Sequence, residues 1–141
     1  MLLGPLRVTA AQLSRSSEQL VGEDGAVIQL QAGNGAGVTV FASFAAHGHP
    51  AVQIDRLEIL GDKGAIKLDG PQLVCSGASP AEKTYDLAVE YQGSYNRTIA
   101  HFVKSLRDNS PFETAPQDNL ETLRLVEDCY RLSGWEALPC R

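Results

Sequence analysis

Apolar and polar residues alternate along the first two-thirds of this chain with the period of two that a half-buried strand requires. Leu6, Val8 and Ala10 alternate with Arg7, Thr9 and Ala11. The polar stretch 14–25, with Ser16-Ser17-Glu18 and Gly22-Glu23-Asp24, reads as a loop. Strand character resumes over 26–31 and 38–45, the latter with Val38, Val40, Ala42 and Phe44 on one face. Between them lies Gly33-Asn34-Gly35-Ala36-Gly37. Asn-Gly predicts a type I′ hairpin turn, because both residues tolerate positive φ, and so makes these strands antiparallel neighbours.

The same pattern recurs downstream. Leu57 and Ile59 alternate with Arg56 and Glu58, Gly61-Asp62-Lys63-Gly64 turns the chain, and Ile66 and Leu68 alternate with Lys67 and Asp69. Gly70-Pro71 is a further break, 72–75 reads as a short edge strand, and 76–80 as a loop. Tyr85, Leu87 and Val89 facing away from Thr84, Asp86 and Ala88 predict one more strand. After Gly93 the period becomes 3.6, with Tyr95, Ile99, Phe102, Val103 and Leu106 on one stripe. Asn109-Ser110-Pro111 ends that helix. Thr114-Ala115-Pro116-Gln117 has the spacing of a capping box with Pro in the first turn. It opens a second helix with Leu120, Leu123, Val126 and Tyr130 inward, closing near Gly134.

Strands first and helices last predict an α+β fold in a single domain, 1–141. Its core is a mainly antiparallel, open-faced sheet of about six or seven strands, with two C-terminal helices packed on one face. The opposite face is expected to present Val27, Phe41 and Leu13 among Thr39, Ser43 and Gln29. Such a mixed face suits contact with another domain or subunit, or it is a solvated face with scattered apolar residues.

Composition narrows the functional classes. The 141 residues are 43% hydrophobic and 21% charged, enough for a real core, and the formal net charge of −5 is spread along the chain. That argues against nucleic acid or an anionic membrane surface as partner. No apolar run has the length of a membrane span, and 1–6 is too short for a secretory signal. Cys75, Cys129 and Cys140 lack metal or redox spacing. They read as reduced thiols in a cytoplasmic protein, with a Cys129–Cys140 bridge as the alternative.

Few residues point to chemistry. The glycines of 33–37 are not a nucleotide loop, since Val38 stands where the third fingerprint glycine belongs and a strand follows instead of a helix. His47 and His49 flank Gly48 in a loop, and two such ligands without a third or fourth do not make a metal site. They are solvated loop residues or polar groups lining a small-molecule pocket. His101 falls on the polar side of its helix, where solvation is the default. No carboxylate pair, Ser/His/Asp set or reactive cysteine stands out, so no catalytic residue is assigned.

Three stretches resemble the C-terminal domain of the Gfo/Idh/MocA family of NAD(P)-dependent sugar and polyol oxidoreductases. They are Met1-Leu2-Leu3-Gly4-Pro5-Leu6-Arg7-Val8-Thr9-Ala10, Leu57-Glu58-Ile59-Leu60-Gly61-Asp62-Lys63-Gly64-Ala65-Ile66, and the closing helices. The last includes Tyr95-Asn96-Arg97-Thr98-Ile99-Ala100-His101-Phe102, 111–120 and Leu125-Val126-Glu127-Asp128-Cys129-Tyr130. The family's N-terminal Rossmann domain, its Glu-Lys-Pro segment and its Asp/His helix have no counterpart here.

The resemblance implies a substrate-binding and oligomerisation domain that is inactive and binds no cofactor alone, with NAD or NADP held by the missing Rossmann domain. The partners it implies are that domain, or a second copy through the open sheet face, and a small sugar or polyol. His47, His49 and Gln53 are the residues it places near substrate hydroxyls. Two rival readings remain: a stand-alone sheet module for binding or dimerisation without enzymatic activity, and a small enzyme centred on His47 and His49. A fragment and a genuine single-domain protein are both open, with Met1 favouring a coding start.

Overall fold

Among the described residues there are seven strands: β1 (Leu6–Ser14), β2 (Gly25–Ala32), β3 (Gly37–Ser43), β4 (Arg56–Gly61), β5 (Gly64–Asp69), β6 (Gln72–Gly77) and β7 (Ala81–Thr84). Two helices follow, α1 (Leu87–Asp108) and α2 (Pro116–Ser133), giving an α+β fold. The computed structural model describes residues 3–50, 54–113 and 115–135. Every strand pair is antiparallel. The strands form two meanders, β1-β2-β3 and β4-β5-β6-β7, where the sequence pattern had predicted one sheet. The described part of 44–55 carries no ladder, which separates the two. The chain correspondingly divides into two units, one from Met1–His49 with Thr114–Arg141 and the other Pro50–Glu113.

In the first unit α2 packs along β1. Val8, Leu30 and Cys129 are buried there, with Leu6, Ala11, Ile28, Val38 and Leu125 against them. The helix therefore turns Leu125 and Cys129 to the sheet. The expected inward residues Leu120, Leu123, Val126 and Tyr130 are instead exposed. Leu125 and Cys129 are themselves an i, i+4 pair, so the stripe is real but rotated from the one that residue type suggested.

A bulge makes the second correction. Val8 pairs with Leu30 but Ala10 pairs with Gln29, so Thr9 is the extra residue and the inward phase of β1 shifts by one. Beyond it Ala11 faces Ile28 and Leu13 faces Ala26, on the side covered by α2. Leu13 is thus not on the open face. Val27 and Phe41 are.

The turn chemistry also differs in detail. Gly35 has φ +90 but Asn34 stays at negative φ, so the β2–β3 connection is not type I′. The Asn34 side chain accepts from the Ala36 N–H (3.0 Å), and Ala32 N–H closes the loop onto Ala36 O (2.8 Å).

In the second unit Leu57, Leu68 and Leu73 stand in register on one face of the sheet, as do Ile59, Ile66 and Cys75. The other face carries Arg56 against Asp69 and Glu58 against Lys67. Gly64 and Gly77 pair so closely that a Cβ on Gly64 would lie 2.0 Å from Ser76 O. That backbone contact excludes any side chain there.

The predicted strand over 85–89 is not formed. Strand β7 lies earlier, and the Asp86 carboxylate caps α1 by accepting from Ala88 N–H (3.0 Å) and Val89 N–H (3.2 Å). A five-residue alternation is too short to outweigh a well-placed cap. Asn109, at φ 52, ends α1 as predicted. Helix α1 does not pack along its own unit's sheet, and Ile99 on its apolar stripe is 62% exposed. For α2, Ala115 occupies the N-cap without a side-chain hydrogen bond. The predicted cap residue Thr114 lies outside the described residues, as does Cys140. Cys75 and Cys129 are free thiols.

Candidate functional site

The face of the first sheet opposite α2 is open, and its residues follow from the register. One cross-strand row is Gln12–Val27–Phe41 and the next is Ser14–Gly25–Ser43. Residues two apart on a strand share a face, so the rows stack side by side. The second row has a glycine at its centre between two serines, and this leaves a recess of about 170 Å³. Phe41 beside it is 76% exposed.

The 15–24 loop forms the rim through Asp24. This residue is 2% exposed, and its carboxylate accepts from Ser16 N–H (2.8 and 2.9 Å) and Ser17 N–H (2.7 Å). Its backbone also bridges β1 and β3, through Asp24 N–H to Ser14 O and Phe44 N–H to Asp24 O. The Ser16 N–H holds the Asp24 carboxyl below its ordinary value, against the upward push of burial. On the outer side of the loop, the Tyr130 hydroxyl donates to Glu23 Oε1, which raises the phenol's pKa. Loop 15–24 is thereby tied to both β1 and α2. Sequence reasoning read 14–25 only as a polar loop, although a lone Asp ending such a loop just before a strand is a recognisable turn-forming signal.

Of the sequence-predicted site residues, His47 and His49 lie elsewhere in this unit. His47 and His49 occupy an exposed turn after β3, in which His49 N–H donates to Ala46 O and Gly48 has φ +82. Neither lines the recess. Gln53 lies outside the described residues. His101 departs from expectation: it is half-buried and its Nε2 accepts the Glu113 N–H (3.0 Å), a structural clip that folds 109–113 back onto α1. Phe102 stacks on Phe112 beside it, with centroids 5.1 Å apart. No three His, Cys, Asp or Glu side chains cluster among the described residues.

The described residues do not fit a dinucleotide. Such a cradle needs a glycine turn leading from a strand into a helix N-terminus, and 33–37 joins two antiparallel strands. Both described helices begin elsewhere, one at Asp86 and one at Ala115.

Comparison with known proteins bears on these features. Residues 1–133 match the profile of the oxidoreductase family, C-terminal alpha/beta domain. No curated protein matches the chain. An oxidoreductase from Agrobacterium radiobacter, solved with NAD+, L-tartaric acid and magnesium, is 26% identical with a TM-score of 0.82. The alignment covers 94% of this chain and 42% of that one. The WlbA dehydrogenase from Bordetella pertussis, solved with NADH and UDP-GlcNAcA, shares the fold at 21% identity and a TM-score of 0.76. It is covered over 44% of its length by 99% of this chain. An aldose-aldose oxidoreductase from Caulobacter crescentus, complexed with glycerol, shares it at 20% identity and a TM-score of 0.68, with 96% and 42% covered. The chain therefore spans less than half the length of these structures.

Proposed function

This chain belongs to the Gfo/Idh/MocA oxidoreductase family, matching its C-terminal alpha/beta domain, and we propose that it is the substrate-facing and assembly half of an NAD(P)-dependent sugar or polyol dehydrogenase. The match over residues 1–133 carries this reading, because it runs through residues of both units. The nucleotide belongs on a dinucleotide-binding domain that precedes this one in the whole protein. Support for NAD comes from the Agrobacterium relative solved with NAD+, and support for a small polyhydroxylated substrate from the L-tartaric acid in the same structure.

In this reading the open face of the first sheet serves assembly with a second copy. The His47–His49 turn and Gln53 supply hydrogen bonds to substrate hydroxyls. A cytoplasmic setting is supported by the unpaired thiols of Cys75 and Cys129. No described helix is long and apolar enough to cross a membrane.

The test is direct. The 141-residue chain is titrated with NAD+ and NADP+ and assayed for polyol oxidation. No nucleotide binding and no turnover are expected, and turnover by the chain alone would overturn the reading. Light scattering across a concentration series tests assembly, for which self-association is the expected result.

A further inference from the structure

We infer that Asn34 is a site of spontaneous covalent modification, at which the Gly35 backbone nitrogen displaces the side-chain amide and leaves aspartyl and isoaspartyl forms of the β2–β3 turn.

Sequence and turn geometry meet at this one place. Of the chain's four asparagines, Asn34, Asn96, Asn109 and Asn119, Asn34 alone precedes a glycine. Ring closure needs the following nitrogen to reach the side-chain carbonyl carbon, and a side chain on that following residue obstructs the approach. Here a Cβ on Gly35 would meet nothing within 4 Å, and Gly35 has φ +90, so the turn is open around the reacting bond. Both residues are exposed, which admits the water that the second step consumes. The Asn34 carbonyl oxygen accepts the Ala36 N–H (3.0 Å). That bond brings the side chain back along the Gly35 peptide and polarises the carbonyl to be attacked.

One contact opposes the reaction. The Gly35 N–H donates to Ala32 O (2.9 Å), and this bond must open before the nitrogen can lose its proton. The rate therefore follows local opening of the turn and does not require global unfolding.

The steps balance without an oxidant or a cofactor. The deprotonated Gly35 nitrogen bonds to Asn34 Cγ, the Cγ–Nδ2 bond breaks, and ammonia leaves with the proton. Water then opens the five-membered imide at either carbonyl. Opening at Cγ gives aspartate. Opening at the α-carbonyl gives isoaspartate, whose main chain runs through the former side chain. Either product adds negative charge to the turn, and the isoaspartyl form also lengthens it by one main-chain carbon. The turn sets the pairing of Gln31 with Gly37 and of Leu30 with Val38. Val38 packs against the buried Val8, Leu30 and Cys129, so a lengthened turn loosens that core.

The experiment is a timed incubation of the 141-residue chain in mildly alkaline buffer, read by peptide mapping and by enzymatic methylation of isoaspartyl carboxylates. Conversion is expected at Asn34 ahead of Asn109, which precedes Ser110, with a rate that rises with pH. The aged chain is expected to unfold at lower urea than fresh chain. Asn34→Gln, an exposed substitution whose longer side chain disfavours the five-membered ring, is expected to lose the isoaspartate signal and the ageing shift together. Chain held in urea gives the rate with the Ala32 contact removed. Conversion in urea with none in the folded chain would overturn the inference. Conversion at Asn109 first, or an isoaspartate signal that survives Asn34→Gln, would do the same.

Discussion

Two meanders of near-identical grammar end differently in this molecule. The first, β1-β2-β3, buries Val8 and Leu30 against Cys129 of α2 and closes one face. The second, β4-β5-β6-β7, has an equally apolar side, with Leu57 and Ile66 still over a third exposed, and shares its unit with a helix whose apolar stripe is also exposed. Among the described residues, none of the fully buried apolar side chains lies in the second unit. The difference teaches that alternation creates an apolar face but does not cover it. Cover comes from a helix that lies along a strand, as α2 does on β1.

That contrast can be broken by substitution. Leu30→Ala removes the centre of the first core and is expected to cost about 2–5 kcal/mol in urea unfolding. A loss below about 1 kcal/mol would show that α2 and the first sheet do not form the stable core.

Acid should act on the same unit through Asp24. Its native pKa is lowered, so its stabilising effect is complete above the ordinary aspartate range and disappears as pH falls through the native value. Asp24→Asn should flatten the acid limb of the stability profile, and an unchanged limb would remove Asp24 as the loop's anchor. Truncation in the second sheet is expected to be milder. Ile66→Ala should cost about 1 kcal/mol, because the side chain is already partly solvated. A loss equal to that of Leu30→Ala would show that this face is fully covered in solution. Smallest of all, Arg56→Ala breaks an exposed pair with Asp69 and should cost under about 0.5 kcal/mol.

Legibility followed the range of the interactions. The hairpin at Gly61–Gly64, the end of α1 at Asn109 and that of α2 at Gly134 are legible in the sequence, since each depends on a few neighbouring residues. The start of α1 is obscured by the alternation of Tyr85, Leu87 and Val89, although Asp86 followed by Leu-Ala-Val-Glu is a helix-start signal. Phe41 and Val27 on the open face were legible. The recess was not, because it arises only when Ser14, Gly25 and Ser43, from three strands, meet in one row.

The sequence by itself determined most of the strands and both helices, the antiparallel pairing of neighbours, the α+β class and the family. These rest on local propensity, turn chemistry and period, which are written residue by residue. Only the tertiary structure decided that the strands form two sheets, that Leu125 and Cys129 carry the helix–sheet contact, and that Leu13 turns inward. Tertiary structure also placed an anionic side chain and several polar ones around Gly25. The physical reason is register: the single extra residue at Thr9 inverts which side of β1 faces the core, and residue type alone does not announce a bulge.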